Sequence, residues 1–180
     1  MQEEIIAAGY GGQGLIFLGH VLAHLGMLLE KNVTSFPSYG AEMRGGTANC
    51  AVIISDNEIA SPVVEKPTSL IAMNQQSLDK FELLVLPEGF ILVNSSLAKS
   101  NSTRKDIRYY LIPASELADK LGNIRTANMV ALGAYLKVIQ LATIAQAEQA
   151  LKSVLPAKRA HLVEINLRAI QVGVDYHAKP

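Results

Sequence analysis

The sequence holds no tryptophan, a single cysteine and, for 180 residues, little charge. Each shortage excludes something. Without tryptophan, and with aromatic residues at only 6%, a base-stacking platform for single-stranded nucleic acid is not built here. Cys50 alone can form no internal disulfide, and it cannot hold an iron–sulfur cluster, which needs about four thiolates. Charged residues make up 18%, below the usual ~25%, and the 16 basic and 16 acidic side chains cancel. No net field steers nucleic acid or an anionic membrane towards such a chain. So few charges also leave apolar surface for a partner to cover. No apolar run approaches the ~20 residues of a membrane span. The acidic start Met1-Gln2-Glu3-Glu4 lacks the cationic region of a secretory signal, so a cytoplasmic location is expected. Also missing are a Gly-x-Ser-x-Gly elbow, a P-loop lysine, paired carboxylates and a metal-ligand cluster. No catalytic residue and no metal ligand is therefore assigned, and the chain is expected to complete another chain's active site.

What is present reads as one α/β domain over residues 1–180. Glu4 to Ala8 is a short buried strand, followed by the glycine-rich turn Gly9-Tyr10-Gly11-Gly12-Gln13-Gly14. Leu15, Leu18, Leu22, Leu25 and Leu29 recur at near-helical spacing, and Val33 to Phe36 is a second strand. Thr47 to Ser55 is the most apolar strand, with Glu58 to Val64 returning as a hairpin interrupted by Pro62. Leu70 to Met73, Phe90 to Asn94 and Tyr109 to Ile112 are further strands, and Ser77 to Phe81 is a short helix. Ser95 to Arg108 is polar, and its Lys99, Arg104, Lys105 and Arg108 read as a solvated basic loop. From Ala114 onward the pattern is helical. Asn128 is expected to cap one helix, Thr143 and Gln146 form a capping box for the next, and a last helix runs from about His161 to Gly173.

Two segments carry candidate chemistry. Gly9-x-Gly11-x-x-Gly14 has the form of a dinucleotide fingerprint between a strand and a helix, where backbone N–H groups and the helix dipole favour phosphate. A nicotinamide site also needs a carboxylate at the end of the second strand, and here that strand ends Ser35-Phe36-Pro37-Ser38. The loop is open to three readings: a tight packing turn, an anion cradle or a partner contact. In Ser38-Tyr39-Gly40-Ala41-Glu42-Met43-Arg44-Gly45-Gly46, a guanidinium between small residues suits a phosphate or carboxylate, or equally a surface pair with Glu42. Cys50, inside an apolar strand, reads as a buried inert thiol. His20 and His24 share a helical face without a third ligand and read as packing residues.

Taken with Gly9 to Gly14, the segment Pro37 to Ala48 resembles the γ subunit of 2-oxoacid:ferredoxin oxidoreductases, which is an internal domain in multidomain pyruvate:ferredoxin oxidoreductase. The resemblance continues through Ile59-Ala60-Ser61-Pro62, Ser77-Leu78-Asp79-Lys80-Phe81, Val93-Asn94-Ser95-Ser96, Ala127 to Ala134 and Asn166. It implies a three-layer α/β/α unit with a mostly parallel or mixed sheet, a Gly-rich loop after strand 1 and a helical C-terminal part. It implies a complex that converts a 2-oxoacid and coenzyme A to acyl-CoA and carbon dioxide, with electrons passed to ferredoxin. Among relatives the likeness is to the 2-oxoglutarate type; pyruvate, branched-chain and indolepyruvate enzymes stay open. Thiamine diphosphate, Mg2+ and [4Fe-4S] clusters are then expected on α and β partner subunits or a small ferredoxin-like one. No cofactor is expected on this chain alone. A coenzyme A contact through Gly11, Gly12, Gln13, Gly14, Arg44, Gly45 and Gly46 is the site the resemblance implies. A stand-alone nucleotide-binding module is the alternative.

Overall fold

The computed structural model describes residues 2–39, 47–99 and 104–177. Six strands form one mixed sheet in the order β2-β3-β1-β4-β5-β6. They are β1 (Gln2–Tyr10), β2 (Asn32–Tyr39), β3 (Thr47–Ser55), β4 (Ser69–Ala72), β5 (Phe90–Asn94) and β6 (Arg108–Ile112). β3 runs antiparallel to both β1 and β2, whereas β1, β4, β5 and β6 are mutually parallel. The C-terminal ends of β1, β2, β4, β5 and β6 therefore share one edge of the sheet with the start of β3.

Alternation along the strands divides the core in two. Ile5, Ala7, Cys50, Val52, Ile54, Ile71, Phe90, Leu92 and Ile112 point to one face. There they meet α1 (Leu15–Leu28) and the helices α3 (Ala114–Lys120), α4 (Ala127–Ile139), α5 (Ile144–Val154) and α6 (Leu162–Asp175). Ile6, Ala8, Leu70, Ala72, Ile91 and Val93 point to the other, covered by the seven-residue α2 (Gln75–Phe81) and flanking turns. The three layers expected are present, but the second helical layer is thin. Every residue of α4 from Ala127 to Leu136 is buried, because the sheet lies on one side and α6 on the other. No helix among the described residues is long and apolar enough to cross a membrane.

Small residues set the closest approaches. A Cβ on Gly19 of α1 would strike the Cys50 sulfur, and one on Gly26 would lie 2.6 Å from Val33. Cys50 is thus sealed between α1 and β3, with the Ser35 hydroxyl 3.4 Å from its sulfur, and burial pushes its thiol pKa up. Iodoacetamide at pH 8 should leave it unmodified in the native chain and label it after denaturation. Labelling of native protein at the rate of a free thiol would show that the α1–β3 contact opens.

Three expectations need correction. Residues 58–64 form no strand: β3 already has β1 and β2 on its two sides, so a returning strand has no free edge to pair with. Asn128 is not a cap. Thr126 occupies the N-cap position and Asn128 is buried in the first turn, turned towards the glycine loop. Arg104 is not simply solvated: it donates to the carbonyls of Glu82 (3.1 Å) and Val85 (2.9 Å) and pairs with Asp106, pinning the turn after α2. The capping box of Thr143 and Gln146 is present at α5.

Candidate functional site

The glycine loop leaves the C-terminal end of β1 as a tight turn closed by Gln13 N–H donating to the Tyr10 carbonyl at 3.1 Å. Gly12 (φ 97°) and Gly14 (φ 75°) both take left-handed backbone that only glycine adopts cheaply. The Gln13 side chain folds back, accepting from Tyr10 N–H at 2.7 Å and donating to the Met73 carbonyl at 3.4 Å. A Cβ on Gly9 would collide with that Gln13 oxygen, so Gly9 is small to seat the amide. Gln13 thereby ties the turn to the end of β4, and its side-chain amide is engaged within the fold.

Gly14 is the N-cap of α1 and offers no side chain to the first turn. The Leu15, Ile16 and Phe17 N–H groups have no acceptor among the described residues. Unsatisfied N–H groups at a helix start, with the helix dipole behind them, favour an anion. The Gly14 carbonyl faces the other way, accepting from Leu18 N–H at 3.0 Å and from Asn128 Nδ2 at 2.9 Å. One contact across 114 positions thus locks the loop to α4.

Clefts lie on both sides of the loop. The front cleft, about 300 Å³, is lined by Gly12, Gln13, Met73, Leu97, Ser115, Ile124, Arg125 and Ala127. Its floor is held by Asn94, which is fully buried at the end of β5 and donates to the Met73 carbonyl (3.3 Å) and the Ser115 hydroxyl (2.9 Å). The rear cleft, about 310 Å³, opens between the start of α1, the 3-10 turn Ile124–Thr126 and α6. Arg125 lines both clefts, and neither has a carboxylate among its lining residues.

Of the residues expected from sequence, Gly11, Gly12, Gln13 and Gly14 come together on this loop. Arg44, Gly45 and Gly46 lie outside the described residues. The strands that flank them end beside the loop, however: Thr47 is the register partner of Tyr10, and Tyr39 that of Ala48. Sequence reasoning missed Arg125 and Arg159, which have no local pattern. It misassigned Asn128, and gave Asn166 no role although it stands in the resemblance. Among the described residues no three His, Cys, Asp or Glu side chains gather as a metal site, and His24 hydrogen-bonds the His20 carbonyl at 3.0 Å. β3 separates β1 from β2, so the strand that would carry a ribose-binding carboxylate is not the neighbour of β1.

This chain is 34% identical to the ketoisovalerate oxidoreductase subunit VorA of Methanothermobacter thermautotrophicus, over 97% of this chain but only 36% of that subunit's length. It is also 34% identical to the 2-oxoglutarate synthase subunit KorC of Methanothermobacter marburgensis, over 96% of this chain and 95% of KorC. In three dimensions it resembles the γ subunit of a keto/oxoacid ferredoxin oxidoreductase from Geobacter sulfurreducens, with a TM-score of 0.82 and 30% identity over 96% of this chain and 94% of that one. The family described as pyruvate ferredoxin/flavodoxin oxidoreductase matches residues 4–176, nearly the whole sequence. With the glycine loop, the mixed sheet and the helical C-terminal layer in place, this chain belongs to that family.

Proposed function

We propose that the chain is the γ-type subunit of a 2-oxoacid:ferredoxin oxidoreductase, inactive alone and assembled with α and β subunits. The complex would convert a 2-oxoacid, coenzyme A and oxidised ferredoxin to acyl-CoA, carbon dioxide and reduced ferredoxin. The likeness to KorC over nearly the full length of both chains supports this reading and favours 2-oxoglutarate as the substrate. A branched-chain oxoacid is the next candidate, from the likeness to VorA. The cofactor chemistry fits other subunits better than this one. One buried cysteine cannot ligate a [4Fe-4S] cluster, and among the described residues no three His, Cys, Asp or Glu side chains gather as a metal site. A ferredoxin-like subunit is a further partner, and the cytoplasm the compartment.

Coenzyme A does fit the chain. Its phosphates suit the uncapped start of α1, with Gly11, Gly12 and Gly14 allowing close backbone approach and Gln13 holding the turn. Arg44, Gly45 and Gly46 would add a guanidinium from the segment joining β2 to β3, whose ends meet the same sheet edge. A stand-alone nicotinamide-binding module is disfavoured, because β2 is displaced from β1 and brings no carboxylate.

Co-expression with α and β chains, followed by coenzyme A-dependent viologen reduction over a panel of 2-oxoacids, tests the reading. Activity is expected only in the co-purified complex. Turnover by the isolated chain, or failure of any complex to form, would overturn it. In the active complex Arg44→Lys keeps the charge but loses the two-pronged donor. It should raise the coenzyme A KM about tenfold if Arg44 holds a phosphate, equivalent to losing one charged hydrogen bond. An unchanged KM and unchanged assembly would remove Arg44 from the site.

A further inference from the structure

At the sheet edge opposite the glycine loop, Ser69, Phe90 and Arg108 stand side by side as register partners at the starts of β4, β5 and β6. A cavity of about 150 Å³ opens there, walled also by Glu3, Leu86 and Ile139. Behind the wall lies Tyr135 of α4, fully buried, with its ring centroid 6.1 Å from that of Phe90. Its hydroxyl has no hydrogen-bond partner. That oxygen is directed at Glu3 and Ser69, both in the cavity wall, and burial and the Glu3 charge push its pKa up. A buried hydroxyl left without a partner is costly unless water or a ligand supplies one. Glu3 is half-buried, and its Oε2 accepts from the Thr68 hydroxyl at 2.9 Å and the Ser69 hydroxyl at 3.3 Å. Its Oε1 has no donor among the described residues. The Arg108 guanidinium leans over the Phe90 ring, 5.9 Å from its centroid, with no hydrogen bond or ion pair among the described residues. The Glu3 carboxylate and the guanidinium thus stand over neighbouring strands, which are spaced about 5 Å apart, and they do not pair with each other. Exposed Glu88 adds a second carboxylate to the wall, and α4 ends there at Ile139, with the negative end of its dipole.

We infer that this cavity binds a small α-amino acid as its zwitterion. The ammonium would lie against Glu3 Oε1 and the Ser69 and Tyr135 hydroxyls, and the carboxylate against the Arg108 guanidinium. A short apolar side chain would rest on Leu86 and Ile139. A lone cation would leave Arg108 and the apolar wall unused, and a lone anion would meet two carboxylates. A cavity of this volume admits a molecule of about the size of benzene, which suits alanine or valine and excludes a nucleotide. The site shares no residue with the glycine loop or with the clefts beside it, and it does not depend on the subunit reading.

The test titrates the purified full chain with L-alanine and L-valine. Each is set beside its decarboxylated amine (ethylamine, isobutylamine) and its deaminated acid (propionate, isovalerate). Calorimetry reads affinity, and 15N amide shifts read location. At least one amino acid should bind roughly tenfold more tightly than both of its analogues, each of which lacks one charge-assisted contact. It should shift the Ser69, Phe90 and Arg108 amides. Arg108→Gln, at an exposed position, should weaken the amino acid about tenfold and leave the amine unchanged, whereas Glu3→Gln should weaken both. Tyr135→Phe keeps the ring on Phe90 and removes only the hydroxyl. It should hold or raise the melting temperature, yet weaken the amino acid roughly fivefold, the worth of one hydrogen bond. A purely structural phenol would leave that affinity unchanged, and such a result overturns the inference. So does the absence of binding by both amino acids at millimolar concentration, or an amine or acid that binds as tightly as its parent. Affinity untouched by Arg108→Gln or by Glu3→Gln, or shifts confined to residues away from the cavity, would overturn it as well. Because no partner subunit or turnover is involved, this result stands apart from success or failure of the co-expression assay.

Discussion

Replacing Gly133 with alanine is expected to lower the melting temperature by roughly 6–12 °C, a net loss of about 3 kcal/mol for a domain of this size. The direction is opposite to what helix propensity gives, since alanine in a helix interior gains about 1 kcal/mol over glycine. What reverses it is the crossing of α4 and α6, the most extensive helix–helix contact in the molecule. A Cβ on Gly133 would fall on the Ile170 carbonyl oxygen, with the carbonyl carbon at 2.8 Å and Cα at 3.0 Å. A Cβ on Gly173 would fall in turn on the Val130 carbonyl oxygen, with Ala134 N at 2.8 Å. These obstacles are helix backbone, which cannot rotate aside as a side chain can, so α6 must move as a body. Gly173→Ala should therefore cost a similar amount. The double variant should cost less than the sum, because one displacement relieves both clashes. Thermal melts of the three variants decide it: singles within 2 °C of the native chain would show that the crossing is looser than described.

That crossing also shows where sequence reading stops. Short apolar runs marked the strands: Ile5 to Ala8, Val52 to Ile54, Leu70 to Met73 and Phe90 to Val93. The leucines of α1 marked its buried face in the same way, and Thr143 and Gln146 marked the start of α5 within four residues. Gly133 lies against Ile170 and Gly173 against Val130, residues far away in sequence, and nothing near either glycine announces its neighbour. Strand order was hidden for the same reason. An apolar run identifies a strand but not its neighbour, so β3 between β1 and β2 could not be read, and the hairpin expected at 58–64 had no vacant edge. Asn128 was read as a cap because asparagine at a helix start usually serves its own turn; here it serves a loop far away in sequence. The glycine loop was legible, since its chemistry is local. The clefts beside it were not, because Arg125, Arg159 and Asn166 come together only through the packing of α6 on α4.

The same distant lock leads to the second large effect, at Gly14. Gly14→Ala places a Cβ 2.5 Å from Asn128 Nδ2 in backbone of φ +75°. Left-handed backbone costs a non-glycine residue roughly 1–2 kcal/mol, and crowding the amide adds an amount of similar size, for a total on the order of 3 kcal/mol. Gly12→Ala is the internal reference: at φ +97° a Cβ there meets nothing within 4 Å, so only the backbone part, about 1–2 kcal/mol, should appear. Asn128→Ala should cost about 1 kcal/mol, because the Gly14 carbonyl keeps the Leu18 N–H when the amide is lost. In the double variant of Gly14 and Asn128 the crowding disappears and the strain stays, so its loss should fall short of the sum of singles by roughly 1–2 kcal/mol. Additive losses would mean that the amide does not press on the loop. A shortfall would show that Asn128 holds Gly14 against α4. The start of α1 would then be fixed from behind, with its free N–H groups turned outward before any anion arrives.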